Sequence, residues 1–165
     1  MLVLDLLQDP QNAGSLLRAA EAAGAHGALV QERRSVEITP AVVNASAGAV
    51  EHLLVARETN LARAMEKLKA RGLWLAGLDA AEGERIDRAN LAGPLGLVVG
   101  SEGEGLRRLV RSKCDVLVRL PMRGQVASLN AATAGAVALY YAWQARGFAG
   151  EKENKGTGER QIQTP

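Results

Sequence analysis

Val116-Leu-Val-Arg-Leu-Pro-Met-Arg-Gly-Gln-Val-Ala-Ser-Leu-Asn-Ala-Ala-Thr-Ala-Gly-Ala-Val-Ala-Leu139 reads as a strand, a loop and a helix in unbroken succession. Val116 to Leu120 is an apolar run of strand length. Pro121 stops it, because proline has no N–H to donate and a fixed φ. Gly124 permits a tight loop. Ser128-Leu129-Asn130 has the chemistry of a helix start, since Ser and Asn side chains accept from the first free backbone N–H groups. The helix that follows is built of small residues: Ala131, Ala132, Ala134, Gly135, Ala136 and Ala138. By pattern alone it is an ordinary alanine-rich core helix, whose small face lets another backbone approach closely.

The same unit recurs toward the N-terminus. Leu95 to Val99 is a strand, followed by the glycine-rich Gly100-Ser-Glu-Gly-Glu-Gly105 and a short helix over Leu106 to Ser112. Leu73 to Leu78 and Leu53 to Ala56 are strands, and Asn60 to Arg71 between them is an amphipathic helix. Gly27 to Val30 is another strand. Leu2 to Leu7 is nearly continuous in apolar residues, as a strand buried on both faces must be. Asn12 to Ala23 shows helical spacing and is closed by Gly24. Residues 79–93 read as a polar loop without periodicity. Six short strands alternating with helices predict an α/β domain with a mostly parallel sheet flanked by helices. Residues 1–147 form that domain, and 148–165 read as a flexible polar tail.

Composition narrows the function. Of 165 residues, 47% are apolar, enough for a full core, and no run is long enough to span a membrane. Met1 to Leu7 lacks the basic start of a signal peptide, so a cytoplasmic protein is expected. One cysteine and two histidines leave no metal cluster. A net charge of +2 permits RNA binding without demanding it, and 3% aromatics argue against a base-stacking platform. Asp9 to Gly14 holds one glycine where a dinucleotide fingerprint needs three, which excludes that cofactor mode. Gly100 to Gly105 carries two glutamates and no following Lys-Ser or Lys-Thr, so it is not a phosphate loop. It fits a backbone loop closing on a ligand without phosphates, with Glu102 free to accept hydrogen bonds. Arg33 and Arg34 are surface residues or a phosphate contact. Arg18, isolated among alanines and leucines, is a solvated side chain or a cation held at the ligand edge of the sheet.

Three segments carry a family resemblance: Asp9-Pro-Gln-Asn-Ala-Gly-Ser-Leu-Leu-Arg-Ala19, Val99-Gly-Ser-Glu-Gly-Glu-Gly-Leu106, and Leu120-Pro-Met-Arg-Gly-Gln-Val-Ala-Ser-Leu-Asn130. In this order, each at a strand end, they resemble the three motifs of the SpoU (TrmH-like) branch of the SPOUT RNA methyltransferases, over nearly the whole domain. Ser46-Ala-Gly-Ala-Val-Glu-His-Leu53 and Thr59-Asn-Leu-Ala-Arg63 look like the subgroup that methylates a guanosine ribose in large-subunit ribosomal RNA.

The resemblance implies a deep C-terminal trefoil knot, a rare exception to unknotted topology. It implies S-adenosylmethionine as methyl donor, S-adenosylhomocysteine as product, and no metal. Gly100, Leu120 and Leu129 would line the donor pocket, with Met122 and Gly124 shaping the knot loop. Arg18 would act on the ribose 2′-hydroxyl as it loses its proton, and would come from the other subunit of a homodimer. Asn12 would orient Arg18 or the substrate, and Glu102 would hold a substrate or arginine contact. Ser128 and Asn130 would fix the third motif and reach toward the target nucleotide. The same resemblance admits a transfer-RNA ribose methyltransferase. A non-catalytic RNA-binding or assembly factor keeping the fold is the alternative of another class. Many relatives carry an RNA-binding domain before the first motif, whereas this chain begins at the strand, which implies a removed domain or a minimal member. Asn130-Ala-Ala-Thr-Ala134 stands where relatives carry branched residues, a change expected to alter packing rather than chemistry.

Overall fold

The structure is a computed structural model and describes residues 1–152. Seven strands form one sheet: β1 (Leu2–Leu4), β2 (Gly27–Gln31), β3 (Leu54–Glu58), β4 (Trp74–Leu78), β5 (Glu84–Arg85), β6 (Leu95–Val99) and β7 (Val116–Arg119). Their spatial order is β3-β2-β1-β6-β4-β7-β5, and every pairing is parallel. Five α-helices complete the domain: α1 (Pro10–Ala22), α2 (Pro40–Ala45), α3 (Leu61–Ala70), α4 (Arg108–Lys113) and α5 (Ala131–Gln144). A short 3-10 helix occupies Ala49–His52.

Alternation along the central strands builds two cores. Leu2 and Leu4 of β1, with Leu95, Leu97 and Val99 of β6, face the layer of α1, α2 and α5. Val3, Leu29 and Val98 point to the opposite face, against Leu61 and Met65 of α3 and Val110 of α4. Both faces are covered, which is why these strands are apolar throughout. α1 lies between α2 and α5 at close quarters. A Cβ on Gly14 would sit 2.4 Å from that of Ala45, and one on Gly135 would sit 2.6 Å from the Leu16 side chain. The small residues of α5 thus serve close packing, as their composition implies.

Several boundaries move from the sequence expectation. The first strand ends at Leu4, because Asp5 follows and Leu6 takes a positive φ of 56°. The first helix begins two residues early, with Asp9 as its N-cap and Pro10 in the first turn, where proline's missing N–H has no helical partner to lose. The loop expected over 79–93 contains the edge strand β5, which pairs Glu84 with Val118 and Arg85 with Arg119. Two residues are too few to show a periodicity, so the sixfold count of strands becomes seven.

Of the tail expected over 148–165, residues from 153 on lie outside the described residues. Phe148 packs edge-on against Trp143, at 5.1 Å between ring centroids, and Trp143 donates to the Ala149 carbonyl. No helix among the described residues is long and apolar enough to cross a membrane. Cys114 packs against Gly77; burial, with the Asp115 carboxylate beside it, pushes its thiol up to about 12 and leaves it a space-filling group.

β1 and β6 are neighbours, but the chain leaves β1 for α1 on one face and leaves β6 for α4 on the other. Adjacent strands whose connections part in this way open a crevice at their carboxyl ends, where open α/β sheets bind ligands.

Candidate active site

Beside that crevice, on the β4 and β7 side of β6, lies a cavity of about 250 Å³. Its walls are the ends of β4, β6 and β7 with the loops that leave them, and the first turn of α5. Leu78, Val99, Leu120, Met122 and Leu129 make it apolar, while Asp79, Glu102 and Glu104 make its polar side acidic. The loop 100–105 doubles back on itself. Ser101 and Gly105 form an antiparallel bridge, exchanging N–H···O bonds of 3.1 and 3.0 Å. Gly100 lies so near the returning chain that a Cβ there would stand 2.1 Å from the carbonyl carbon of Gly105. The turn itself uses positive φ at Gly103 (84°) and Gly105 (68°), conformations open to glycine.

Four of the five residues expected to hold a donor line this cavity, namely Gly100, Leu120, Met122 and Leu129. Gly124 lies on the exposed loop between Met122 and Ser128, outside the lining. Glu102 and Ser128 line the cavity as well. Asn12 and Asn130 stand beside it and are joined to it. The Asn12 Nδ2 donates to Glu102 Oε1 at 2.5 Å, and the Asn130 Nδ2 donates to Asn12 Oδ1 at 3.0 Å. One chain of side-chain hydrogen bonds therefore ties the first turn of α1 to the loops after β6 and β7. Asn130 is also the N-cap of α5, its Oδ1 accepting from the N–H groups of Ala132 (2.9 Å) and Thr133 (3.2 Å). Ser128 is exposed and takes no part in that cap. Arg18 is exposed on α1, off the cavity lining, and no ion pair among the described residues includes it. Neither Asn12 nor Glu102 holds it within one chain.

Because Asn130 serves both the cap and the network, Asn130→Ala is expected to lower the unfolding free energy by about 1–2 kcal/mol, the usual loss on removing an N-cap side chain. Denaturant titration reads this directly. Unchanged stability would mean the cap contributes nothing.

Two charged clusters were not foreseen. Arg111 of α4 pairs with Asp79 Oδ2 at 3.0 Å and with Glu82, bracing the loop after β4 that forms one cavity wall. Burial alone would raise the Asp79 carboxyl. Hydrogen bonds from the N–H groups of Glu82 and Ala81, together with the Arg111 guanidinium, hold it below the usual range. A carboxylate therefore stands at the rim. In the second cluster, Asp5 is fully buried and is gripped by Arg107. Its signal in the sequence is one charge inside an otherwise apolar strand run, which cannot be buried without a partner.

The comparisons with known proteins agree in direction. The sequence model of the SpoU rRNA Methylase family matches residues 1–140. The Bacillus subtilis protein YacO, named as a TrmH family tRNA/rRNA methyltransferase, is 51% identical over 152 residues, covering 91% of this chain and 60% of YacO. The solved structure of the SpoU methyltransferase AviRb from Streptomyces viridochromogenes, in complex with the cofactor AdoMet, is similar with a TM-score of 0.81 at 32% identity, over 88% of this chain and 59% of that one. A solved RNA 2′-O ribose methyltransferase is similar with a TM-score of 0.78 at 34% identity, over 88% of this chain and 55% of that one. The chain spans about three fifths of the length of these relatives.

Proposed function

The chain belongs to the SpoU rRNA methylase family, and from that premise we propose that it is an S-adenosylmethionine-dependent RNA methyltransferase acting on a ribose 2′-hydroxyl, that of a guanosine in large-subunit ribosomal RNA. The observation that carries this reading is the hydrogen-bonded chain Asn130–Asn12–Glu102, which joins the first turn of α1 to two loops that wall one acidic-rimmed cavity. The cavity suits such a donor. Its apolar walls and tightly folded backbone fit a nucleoside, and its carboxylates attract the cationic sulfonium and amino groups. The same carboxylates would repel phosphate, in keeping with a donor that has none.

When bound, the donor supplies a methyl group already activated on a positively charged sulfur. The residues of the chain must bring the hydroxyl oxygen in line with that methyl, and its proton passes to the neighbouring RNA phosphate or to water as the new C–O bond forms and the C–S bond breaks. Leu120, Met122 and Leu129 exclude water from the methyl. Asn12 and Asn130 fix Glu102 at the mouth. Arg18, always charged and rich in donors, holds the acceptor ribose or its phosphate and stabilises the developing oxyanion.

Arg18 does not reach the cavity of its own chain, which supports a homodimer in which each α1 serves the other subunit's site. The exposed Val137 and Tyr140 of α5 and the adjoining Phe148 offer apolar surface for that contact. The family's trefoil knot is part of this reading, and the convergence of the segments 100–105 and 120–129 on one cavity supports it. YacO's name spans transfer and ribosomal RNA, so a transfer-RNA ribose is the second reading.

Calorimetric titration with S-adenosylmethionine tests the donor site. Saturable binding at one site per chain is expected, and no binding would overturn the reading. Labelled-methyl incorporation into ribosomal against transfer RNA then separates the two acceptors.

A further inference from the structure

The Asp5 carboxylate has no exposed surface, stands just past the end of β1, and does not line the cavity. Arg107 meets it on both oxygens. Its Nε donates to Oδ1 at 2.6 Å, its Nη2 lies 2.6 Å from the same oxygen, and its backbone N–H donates to Oδ2 at 2.9 Å. Arg107 Nη2 also donates to Gln31 Oε1 at 3.1 Å, and Gln31 Nε2 donates to the Thr59 carbonyl at 2.8 Å. Asp5's own N–H donates to the Val99 carbonyl at 2.9 Å. One residue thus holds both ends of the glycine loop. Its backbone grips Val99, where the chain runs into the loop, and its side chain grips Arg107, where the chain leaves it.

We propose that the Asp5–Arg107 pair, steadied by Gln31, is a positioning device that sets the curvature of the loop 100–106 and thereby the affinity of the cavity for its donor. The inference rests on the reading of the cavity as the donor site. Burial of Asp5 requires a cation, but stability alone would be met by any cation. The fork of Arg107 does more. It spans Asp5 and Gln31 at once, a geometry that lysine, with one nitrogen, does not reproduce. The loop is then fixed at three points, since Glu102 within it is held by Asn12.

The test titrates S-adenosylmethionine into the wild type, Arg107→Ala and Arg107→Lys. It also follows hydrogen exchange at the loop amides and thermal unfolding. Donor affinity is expected to fall about tenfold or more in Arg107→Ala and about threefold or more in Arg107→Lys, the loss typical of charge-assisted hydrogen bonds. Exchange should quicken in the loop before it does in β2. Wild-type affinity in an Arg107→Ala protein that merely melts earlier would overturn the proposal and leave the pair a structural one. The Arg107 side chain is 43% exposed, so Arg107→Lys is tolerated by the fold. Should Arg107→Ala not fold, unchanged affinity in Arg107→Lys overturns the proposal by itself. Failure of the wild type to bind the donor overturns the donor-site reading and this inference with it, which separates the two failures.

Discussion

Gly100→Ala is expected to abolish donor binding and to destabilise the fold by about 3 kcal/mol, the upper end for inserting a methyl group into a packed site. The added Cβ would lie 2.1 Å from the carbonyl carbon of Gly105, 2.2 Å from its oxygen and 2.5 Å from the Leu106 nitrogen. All three are backbone atoms, so no rotamer change relieves the clash. The preceding residue cannot retreat, because Val99 is locked in the sheet opposite Leu4. The returning limb of the loop must move instead, and that limb is a wall of the cavity. Gly103→Ala is the contrasting variant. Its Cβ would meet nothing within 4 Å, so the expected effect is backbone strain at a positive φ of 84°, about 1 kcal/mol, with donor binding retained. Urea unfolding and calorimetric titration of both variants check the pair of outcomes. Wild-type donor affinity in Gly100→Ala would sink the assignment of this loop to the donor site.

The contrast between two glycines in one loop marks where sequence reading stops. Gly100 and Gly103 look alike in the chain, and only the folded path reveals that one is crowded by backbone and the other open. The strands were legible because parallel sheets covered on both faces demand continuous apolar runs, as Leu2 to Leu4 and Leu95 to Val99 show. The edge strand β5 was not, since its two residues pair only through backbone groups that carry no pattern. The three segments at or beside the cavity could be named from a family resemblance, and four of the five residues expected to hold a donor lie in its wall. The bonds among those segments could not be read. Asn12 and Glu102 stand ninety positions apart in sequence, and no local period links them. Asn12 was expected to orient Arg18 or the substrate; its amide is committed to Glu102 and Asn130. Asp5 was the one visible anomaly, a charge within an apolar run, yet its partner Arg107 was indistinguishable from the other arginines of that segment.

Arg18→Ala is expected to reduce methyl transfer by about a thousandfold, the scale of losing a positioned charge at a reacting hydroxyl, while donor affinity stays within about threefold because the role proposed for Arg18 is to hold the acceptor and not the donor. The change is well suited to isolating chemistry from folding. α1 buries Leu16, Leu17 and Ala20 against the core and leaves Arg18 outside, and exposed substitutions of this kind shift stability by about 0.5 kcal/mol or less. Normal turnover in the variant would refute the role. The dimer adds a sharper test. If each α1 serves the partner's cavity, an Arg18→Ala chain retains a sound cavity and a Gly100→Ala chain retains a sound arginine. Neither homodimer is active. Mixed and allowed to exchange, half of the dimers pair one of each, and each mixed dimer holds one complete site of two. About a quarter of wild-type turnover should return, by the statistics of a two-fold assembly. An arginine acting on its own chain's cavity gives no recovery at all, since no chain in the mixture has both parts intact.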